Sequence, residues 1–476
     1  MSITYIANTP LRESYFFHIH RFLYLIIFLG DILGFFIYLG VFFYLHIEQN
    51  FQSFTPFLCY LLPWIFITFY LADIYNFRNN FNNLISLKKI AVTYLVIISS
   101  AYFLMIISNI DDVNSLLERK ITLLNLSLLT AWTLISRWIV VKWVRLQAQN
   151  SRWLILGIDD NAIEFSQKFT HLNPYGKLAF ITDSEKNDSK KNGSNLVKSQ
   201  SEYLGDLKDL PLVEQQNWSG IIVANDANLS QLSLEQLLKM RLQGNRIHRL
   251  LDFYENLFGK VPSSLLDNNE LLFRQGFEIL AGGVNLTVKR IVDIILSIVL
   301  FVTLSPLMFL VAIAIKLDSP GGIFYSQIRT GLHGQTFKVY KFRSMYQDAE
   351  KQGAKWAEER DSRITNVGHW IRLFRIDELP QIWNVIRGEM SLIGPRPERP
   401  EFDLKLKQVI PYYELRYSVK PGITGWAQVM YPYGASIKDA AEKLSYDLYY
   451  IKNYSWWLEI KIFVKTIRVV LLGKGR

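Results

Sequence analysis

Cysteine is almost absent from this chain of 476 residues. The single cysteine, Cys59, lies in an apolar stretch, so the sequence excludes an intrachain disulfide and a cysteine-ligated metal cluster. Histidine is also sparse, and His333 and His369 stand alone without the spacing of metal ligands. These absences argue against thiol redox chemistry and against a metal site built on cysteine or histidine.

Net charge is absent from the first 280 residues, and the whole excess of +10 lies in residues 281–476. Half of the residues are hydrophobic and 14% are aromatic, a balance typical of a membrane protein. A basic C-terminal part favours anionic headgroups, a phosphorylated substrate or nucleic acid as partner, or is only a solvated basic face. No recognised nucleic-acid-reading element with aromatic stacking positions is present, so we expect no nucleic-acid partner.

Long apolar runs open the chain, at about 22–46, 54–75, 90–110 and 121–144. Each reaches or approaches the roughly 20 residues that cross a bilayer as a helix. The sequence therefore predicts a transmembrane region of four helices over residues 1–150. The first run starts too far into the chain and is too long for a cleaved signal peptide, and no small-residue cleavage site follows it.

The loops between these runs differ in charge, which predicts their orientation. The loop between the first two runs lacks Lys and Arg, whereas the N-terminal flank, the second loop and the exit carry several. By the positive-inside rule, both ends of the four-helix region are cytoplasmic. Asp31 lies inside the first run, where a charge is costly, and either a structural or a functional role would explain it.

A soluble α/β pattern begins after residue 150. The stretches SRWLILG, GKLAFITD and SGIIVAND predict buried strands, with YLGDLKDL as a turn, and together they indicate a doubly wound, Rossmann-like domain over 151–262. Gly157 stands alone where a dinucleotide-binding loop needs three glycines, and Asp159 and Asp160 would repel a phosphate. We therefore expect the architecture without the nucleotide, followed by a linker over 263–284.

A fifth apolar segment, IVDIILSIVLFVTLSPLMFLVAIAIKL, covers residues 291–317. It is long enough to span a membrane, but Ser305 and Pro306 fall at its middle, and an interior proline removes a backbone hydrogen bond and kinks a helix. The segment either crosses, which would place everything after residue 318 outside the cell, or turns back. Whether the segment crosses or turns back depends on which side of the membrane the C-terminal part needs to occupy.

Two stretches of that part carry the chemistry. FYSQIRTGLHGQTFKVYKFRSM (324–345) predicts two short strands around a glycine-rich turn. Lys341 and Arg343 would then share a strand face able to hold phosphate, although a solvated edge strand would have the same pattern.

RITNVGHWIRLFRIDELPQIWNVIRG predicts a helix to about Phe374, a break at 379–380 and a second short helix that Gly388 ends. The adjacent carboxylates Asp377 and Glu378 would lie at or just before a helix N-terminus, which keeps carboxylates ionised and attracts phosphate. A surface ion-pair cluster is the alternative explanation.

The motifs YKFRSM, IDELPQ, GEMSLIGPRPE and KPGITGWAQV, in this order, closely resemble those of bacterial polyprenyl-phosphate hexose-1-phosphate transferases, the monotopic phosphoglycosyl transferases. With its four leading helices and incomplete Rossmann-like domain, the chain is similar to the large branch of that family. The resemblance implies an α/β catalytic domain over 285–476, anchored by a re-entrant helix over 289–317 that breaks at Ser305 and Pro306. It also implies a multi-pass protein of the bacterial inner membrane, with its catalytic domain on the cytoplasmic face.

The resemblance implies a two-step reaction. Asp377 would attack the β-phosphorus of a UDP-hexose, and undecaprenyl phosphate would then take the phosphosugar from the enzyme. An aspartate with a pKa near about 3.9 is already ionised at neutral pH and needs no separate base. Asp377 and Glu378 would both lie near Mg²⁺, which prefers carboxylate and phosphate oxygens.

Further residues gain roles from the resemblance. Arg372 matches a phosphate-facing arginine, and Arg396 lies in a Pro-Arg-Pro motif, Pro395 to Pro397, associated with uridine nucleotides. Arginine's fork suits phosphate oxygens. The other predicted phosphate or nucleotide contacts are Lys341, Arg343, Arg375, which could instead only pair with Glu378, and Gln381.

Several features of the resemblance leave alternatives open. The insertion after GWAQV resembles a subset of unknown sugar preference, so UDP-glucose is the default expectation. The tail SWWLEIKIFVKTIRVVLLGKGR alternates basic and apolar residues, which suits either an interfacial helix or packing on the catalytic domain. A homodimer through the middle domain is a further expectation.

Two rival functions remain at the level of sequence. A membrane-anchored, nucleotide-sensing scaffold would make the carboxylates structural. A processive UDP-sugar glycosyltransferase would also use Mg²⁺, but it would release UDP rather than UMP.

Overall fold

The computed structural model describes residues 26–37, 40, 64–74, 83–107, 115–172, 176–182, 202–213, 216–224, 229–273, 276–281, 284–347, 349, 361–431, 434 and 436–473. They form two compact units, Met1–Leu250 and Leu251–Arg476. Helices and sheets occur in both units, as the sequence predicts.

The first unit begins with four helices that overlap the four predicted apolar runs. They are α1 (Ile26–Ile37), α2 (64–71), α3 (Asn83–Ile107) and α4 (Ser115–Gln149). Parts of the first two runs lie outside the described residues. Membrane crossing by these helices stays a prediction.

Asp31 has a partner inside this helical region. Its carboxylate accepts two hydrogen bonds from Arg137 of α4, with Nη2 2.6 Å from Oδ2, and both side chains are buried. Trp132 of α4 donates its indole N–H to the carbonyl of Gly30 at 3.0 Å. The buried pair neutralises a charge that apolar surroundings would otherwise disfavour, so Asp31 ties α1 to α4.

A five-stranded parallel sheet follows, in the order β3-β2-β1-β4-β5. Its strands are β1 (Arg152–Leu156), β2 (Lys177–Thr182), β3 (Glu202–Asp206), β4 (Gly220–Val223) and β5 (Ile247–Arg249), and its helices are α5 (Asp160–Leu172), α6 (Leu210–Val213) and α7 (Gln231–Leu242). Strands β1 and β4 are almost wholly buried because helices cover both faces of such a sheet. This is the predicted doubly wound arrangement.

One prediction for this domain is wrong in detail. YLGDLKDL is not only a turn, because Glu202–Asp206 form the edge strand β3 before the turn begins at Leu207. The strand is half exposed and contains Gly205 at φ 123°, so it lacks the apolar run that marks a buried strand.

After β1, Asp159 accepts a hydrogen bond from the amide of Ala162 at 2.7 Å and caps α5, where a dinucleotide site would place its pyrophosphate.

The second unit starts with a segment that packs against later elements of the same unit. It contains α8 (Leu250–Phe258) and α9 (Asn268–Phe273), and it buries Leu251, Val261 and Leu266 in one core with Leu406 and Tyr413. Trp426 donates its indole N–H to the carbonyl of Gly259 at 2.7 Å. Of the residues of this segment, Leu266 lies in the predicted linker, and Leu251, Gly259 and Val261 lie in the span predicted for the Rossmann-like domain.

Helix α10 (Val284–Asp318) is continuous through the expected break and has 35 residues. Within the described residues, Leu286–Asp318 is the one stretch long and apolar enough to cross a membrane. Pro306 has no amide hydrogen for the carbonyl of Val302, and the hydroxyl of Ser305 donates to that carbonyl at 2.8 Å. The serine thus satisfies the acceptor that the proline leaves open.

Both ends of α10 contact the same unit. Near its start, Arg290 donates to the carbonyls of Val385 and Ile386, at 2.6 and 2.9 Å, and the carboxylate of Asp293 accepts from the hydroxyl of Ser391 at 2.7 Å. Near its end, Val311 and Ile315 pack under Phe342 and Ile371. The stretch between these contacts exposes apolar side chains, among them Val299, Val302, Phe309 and Leu310.

The remaining elements surround the candidate site. They are the hairpin β6 (Phe324–Thr330) and β7 (Thr336–Phe342), α11 (Asn366–Leu373), α12 (Ile382–Arg387), the parallel pair β8 (Ser391–Ile393) and β9 (Gly422–Thr424), α13 (Pro400–Val409), α14 (Trp426–Met430), α15 (Ile437–Lys452) and α16 (Trp456–Leu471). The hairpin and both short helices near the carboxylates match the sequence prediction. Helix α16 buries Leu458 and Ile462 and exposes Trp457, Phe463 and Ile467, so it packs on the unit and also presents an apolar face.

Candidate active site

The adjacent carboxylates lie in a short 3₁₀ helix, Ile376–Gln381, between α11 and α12. The chain breaks at Arg375, which adopts a left-handed conformation with φ 55°, and not at 379–380 as predicted. Pro380 is tolerated because the 3₁₀ helix continues directly into α12, and Gly388 at φ 88° ends that helix as predicted. The left-handed turn buries both carboxylates, Asp377 at 9% and Glu378 at 5% exposure.

Glu378 is held by three cations. Its Oε1 accepts from Nη2 of Arg396 at 2.6 Å and from Nζ of Lys341 at 3.0 Å, and its Oε2 lies 3.3 Å from Nη1 of Arg396 and 3.6 Å from Nη1 of Arg375. Burial alone would raise the pKa of Glu378, but the charges of Arg396, Lys341 and Arg375 outweigh it and hold the pKa well below its ordinary value. Glu378 is therefore a permanently ionised anchor for these cations.

Asp377 is in the opposite situation. Among the described residues, no hydrogen-bond donor reaches its carboxylate. Burial and the neighbouring charge of Glu378 raise the pKa of Asp377 to about 6, while Lys341, Arg372 and Arg396 pull it down from farther away. At neutral pH the group is ionised, desolvated and without a direct partner, which are the properties of a reactive carboxylate.

A cavity of about 890 Å³, the basic cavity, opens onto this carboxylate. Of the predicted residues it brings together Lys341, Arg372, Arg375 and Arg396 with Asp377 and Glu378. The cations that line this cavity can hold a diphosphate because each guanidinium or ammonium offsets phosphate charge and donates hydrogen bonds. A carboxylate could approach phosphorus in such surroundings without being repelled.

Lys341 reaches the basic cavity through the register of the hairpin. It pairs with Tyr325 across the two strands, so both side chains lie on the face that also carries Gln327 and Arg329. Arg343 lies after the last residue of β7, where strand alternation no longer applies. Although it borders the cavity, its guanidinium donates to the carbonyls of Ser319 and Pro320, at 2.6 and 2.8 Å, just after α10. It also donates to the carbonyl of Ile315 at 3.3 Å and so caps the end of α10.

The Pro-Arg-Pro loop presents Arg396 between two buried prolines, Pro395 and Pro397. The carbonyl of Pro395 accepts from the amide of Gly422 at 2.9 Å, and the carbonyl of Pro397 accepts from Arg329 at 3.2 Å. Both carbonyls fix the loop so that the Arg396 side chain meets Glu378. Gln381 is buried at the end of the 3₁₀ helix and does not border the cavity.

Arg416 is a residue that the sequence reasoning missed. It is buried, and its Nη2 donates to the carbonyl of Arg396 at 2.8 Å and to Oδ2 of Asp447 at 3.1 Å, while Nη1 donates to the hydroxyl of Tyr413 at 2.6 Å. Arg416 thus holds the backbone of the loop that carries Arg396. The sequence signal for Arg416 was its position shortly before the motif KPGITGWAQV. Arg329 and Lys443 also line the cavity, and no sequence signal marked them.

The predicted Mg²⁺ has a partial fit to these residues. In the described parts of the chain, no group of three or more His, Cys, Asp or Glu side chains could hold a metal ion. Asp377 fits such an ion because its buried carboxylate accepts from no donor in the described part of the chain. Both oxygens of Glu378 already accept from cations, so Glu378 could ligate a metal only if Lys341 or Arg396 withdrew.

A family model for bacterial sugar transferases matches residues 284–473. The chain is 43% identical over 229 residues to a UDP-N-acetylgalactosamine-undecaprenyl-phosphate N-acetylgalactosaminephosphotransferase of Aeromonas hydrophila, a match that covers 48% of this chain and 53% of that protein. It is 40% identical over 188 residues to a UDP-glucose:undecaprenyl-phosphate glucose-1-phosphate transferase of Escherichia coli strain K12, over 39% and 40% of the two chains. A protein of the same name from Caulobacter vibrioides is 38% identical over 185 residues, which cover 38% of this chain and 69% of that protein.

The fold around the carboxylates and these matches define the class of the protein. The chain belongs to the bacterial sugar transferase family, as its four ordered motifs predicted. It matches about half or less of the length of the Aeromonas and Escherichia relatives. The match to the Aeromonas protein is longer than the span of the family model, so the likeness extends beyond residues 284–473.

Proposed function

We propose that this protein transfers a hexose-1-phosphate from a UDP-sugar to undecaprenyl phosphate through a covalent intermediate on Asp377, with release of UMP. The observation that carries the proposal is the contrast between the two carboxylates. Glu378 contacts three cations, whereas Asp377 is buried, accepts from no donor among the described residues and borders a cavity lined by all five cations predicted to bind phosphate. The names of the relatives state undecaprenyl phosphate as acceptor and a UDP-sugar as donor.

In the first step, a carboxylate oxygen of Asp377 forms a bond to the β-phosphorus of the donor. The bond from that phosphorus to the bridging oxygen breaks, and the oxygen leaves with UMP. Arg372, Lys341 and Arg396 line the cavity where the displaced charge accumulates, so they stabilise the transition state electrostatically.

In the second step, a phosphate oxygen of undecaprenyl phosphate attacks the phosphorus of the aspartyl-phosphosugar. The acyl phosphate bond breaks, the Asp377 carboxylate is regenerated, and the product is a lipid-linked diphosphosugar. Each step forms one bond to phosphorus and breaks one, so neither needs an external base. The enzyme alternates between its free form and the aspartyl-phosphosugar form, so the kinetics should be ping-pong.

A divalent cation, Mg²⁺ by the chemistry of carboxylate and phosphate oxygens, would be held by Asp377 and the donor diphosphate, and Glu378 could join after releasing a cation. Bound there, it would neutralise phosphate charge. Glu378 meanwhile orients Lys341 and Arg396, which is a role that needs no metal.

We also propose that α10 enters and leaves the bilayer on one face and bends at Pro306 when it does so. The support is that residues near its start and near its end contact the same unit. We place that face in the cytoplasm of a bacterial inner membrane, where the nucleotide sugar is found and the acceptor headgroup is within reach.

The sugar itself is the least constrained part of the proposal. The relatives are named for glucose and for N-acetylgalactosamine, and UDP-glucose remains our default donor. The test is the identity of the released nucleotide. The purified protein, incubated with UDP-glucose or UDP-N-acetylgalactosamine, Mg²⁺ and undecaprenyl phosphate, should release UMP, and release of UDP would instead support a processive glycosyltransferase.

A further inference from the structure

The basic cavity has an apolar rim at the end that adjoins α10. Phe324, the first residue of β6, lines the cavity and is 58% exposed. Val469 of α16 lines the same cavity. A phenylalanine ring cannot bind the phosphates of a nucleotide sugar, so an exposed ring beside a cationic cavity could be covered either by the uracil base or by a hydrocarbon chain, and the surroundings of Phe324 favour the hydrocarbon chain.

Phe324 of this rim is linked to α10 through one buried side chain. The ring of Phe324 stacks on that of Phe342, with centroids 5.4 Å apart and planes 18° apart. Phe342 is buried and packs against Val311 and Ile315 of α10. The other side of this helix end exposes further apolar side chains, Leu310, Ile313 and Leu317. The Phe324 ring is thus separated from the apolar helix by one side chain, Phe342.

Charge changes sharply on moving into the cavity. Tyr325, next to Phe324, pairs with Lys341 across the hairpin, and Lys341 is bonded to Glu378 at 3.0 Å. Arg372 and Asp377 line the same space. The cavity therefore has apolar side chains at Phe324 and Val469 and cations around Asp377, a combination that matches a ligand with a hydrocarbon chain and a terminal phosphate.

We propose that Phe324 and Val469 form an acceptor portal, over which the first isoprene units of a polyprenyl phosphate lie while its phosphate reaches Arg372 and Asp377. The proposal rests on the proposed function, because it assigns the lipid acceptor of that reaction to one mouth of the cavity. Burying apolar surface of the isoprenoid chain on the Phe324 ring contributes affinity for the lipid acceptor. The UDP-sugar donor binds in the cavity without contacting Phe324 and Val469.

The chain offers a matched control. Ile328 lies on the same strand and the same strand face as Phe324 and is 59% exposed, but it does not line the cavity. Phe324→Ser and Ile328→Ser therefore remove similar exposed apolar groups, one at the portal and one away from it. Phe324→Leu keeps an apolar side chain at the portal.

The experiment measures the KM for undecaprenyl phosphate and for a phosphate with two isoprene units, using full-length protein in nanodiscs. Phe324→Ser should raise the KM for the long acceptor about tenfold, which corresponds to losing about 1.4 kcal/mol of apolar contact. Phe324→Leu should stay within about threefold of wild type, as should Ile328→Ser, and the donor KM should respond less than the acceptor KM in all three. The preference of the wild type for the long acceptor should shrink in Phe324→Ser.

Equal acceptor KM values for Phe324→Ser and Ile328→Ser would overturn the portal. So would an equal rise of the KM for donor and acceptor, because that indicates a general disturbance of the cavity. Failure of the proposed function has a different signature, since the wild type itself would then release no UMP with any acceptor.

Discussion

Arg396 and Glu378 form a two-point ion pair, with Nη2 2.6 Å from Oε1 and Nη1 3.3 Å from Oε2. The pair separates the roles of two adjacent carboxylates. Both oxygens of Glu378 contact cations, whereas in the proposed mechanism the oxygens of Asp377 react with the substrate. A pair of acidic residues that looks symmetrical in sequence is thus functionally asymmetric in the fold.

The two-point geometry predicts that lysine cannot replace Arg396. A lysine ammonium can contact one oxygen of Glu378 at a time, so Lys341 and Arg375 would have to rearrange. We expect Arg396→Lys to lower kcat/KM for the UDP-sugar roughly 30- to 100-fold, as for loss of about 2–3 kcal/mol from a charged hydrogen-bonded contact. Steady-state kinetics measure this.

The matched control is Arg387→Lys. Arg387 is half exposed, pairs with Glu389 at 3.4 Å and does not line the cavity. Its substitution should change kcat/KM less than twofold. A similar loss in both variants would contradict the role given to Arg396.

The raised pKa of Asp377 predicts a pH dependence. The nucleophile must be ionised, so UMP release should fall about tenfold per pH unit below pH 6, where the carboxyl takes up a proton. The pKa of Glu378 lies well below its ordinary value, so it should add no second limb near pH 6. A profile that stays flat to pH 4.5 would contradict the assignment.

The same pKa predicts a stability effect of the opposite sign. The folded state raises the pKa of Asp377 from 3.8 to about 6, so the ionised carboxylate destabilises the fold fully above pH 6 and not at all below about pH 4. Asp377→Asn should therefore raise the Tm at pH 8 and lose this advantage as the pH falls from 6 to 4. Thermal unfolding at several pH values measures it, and a Tm gain that is independent of pH would argue against the shift.

Arg416 should act as a positioning residue for Arg396. Arg416→Lys keeps the charge but loses the fork that bonds the Arg396 carbonyl, Asp447 and Tyr413 together. We expect the donor KM to rise about tenfold with a smaller change in kcat, because Arg396 shifts while Asp377 stays in place. Asp447→Asn retains an acceptor for Arg416 and should have the weaker effect; equal effects on kcat and KM in Arg416→Lys would indicate a merely structural role.

The position of α10 predicts the accessibility of its two flanks. Glu278 and Gln335 are exposed, one before the helix and one after it. In a background with Cys59→Ala, Glu278→Cys and Gln335→Cys should both react with a membrane-impermeant maleimide only after cells are permeabilised. Labelling of only one of the two positions in intact spheroplasts would show that α10 crosses the membrane, and labelling of both would contradict the cytoplasmic face.

Much of the architecture was accessible from periodicity and motifs. Parallel strands buried on both faces have continuous apolar runs, which is why Arg152–Leu156 and Gly220–Val223 were predicted, whereas the half-exposed edge strand Glu202–Asp206 was not. The hairpin and the helix end at Gly388 depend on local turn chemistry, and sequence predicted them too. The family followed from four motifs in order.

The electrostatic division of the site could not be predicted, because it depends on contacts between distant segments. Arg343 is two residues from Lys341, yet it caps α10 because β7 ends at Phe342. Arg416 supports Arg396 across the fold through a backbone carbonyl that no sequence pattern marks. Only the left-handed turn at Arg375 explains why both carboxylates are buried.

The central claim is a covalent bond between Asp377 and phosphorus, and intact-protein mass spectrometry tests it most directly. Enzyme incubated with UDP-sugar alone and quenched in acid should gain the mass of one hexose phosphate, placed on the peptide that contains Asp377, and Asp377→Asn should gain none. If Asp377→Asn transfers the sugar phosphate as fast as the wild type, or if the wild type turns over without any adduct on this peptide, the account is contradicted.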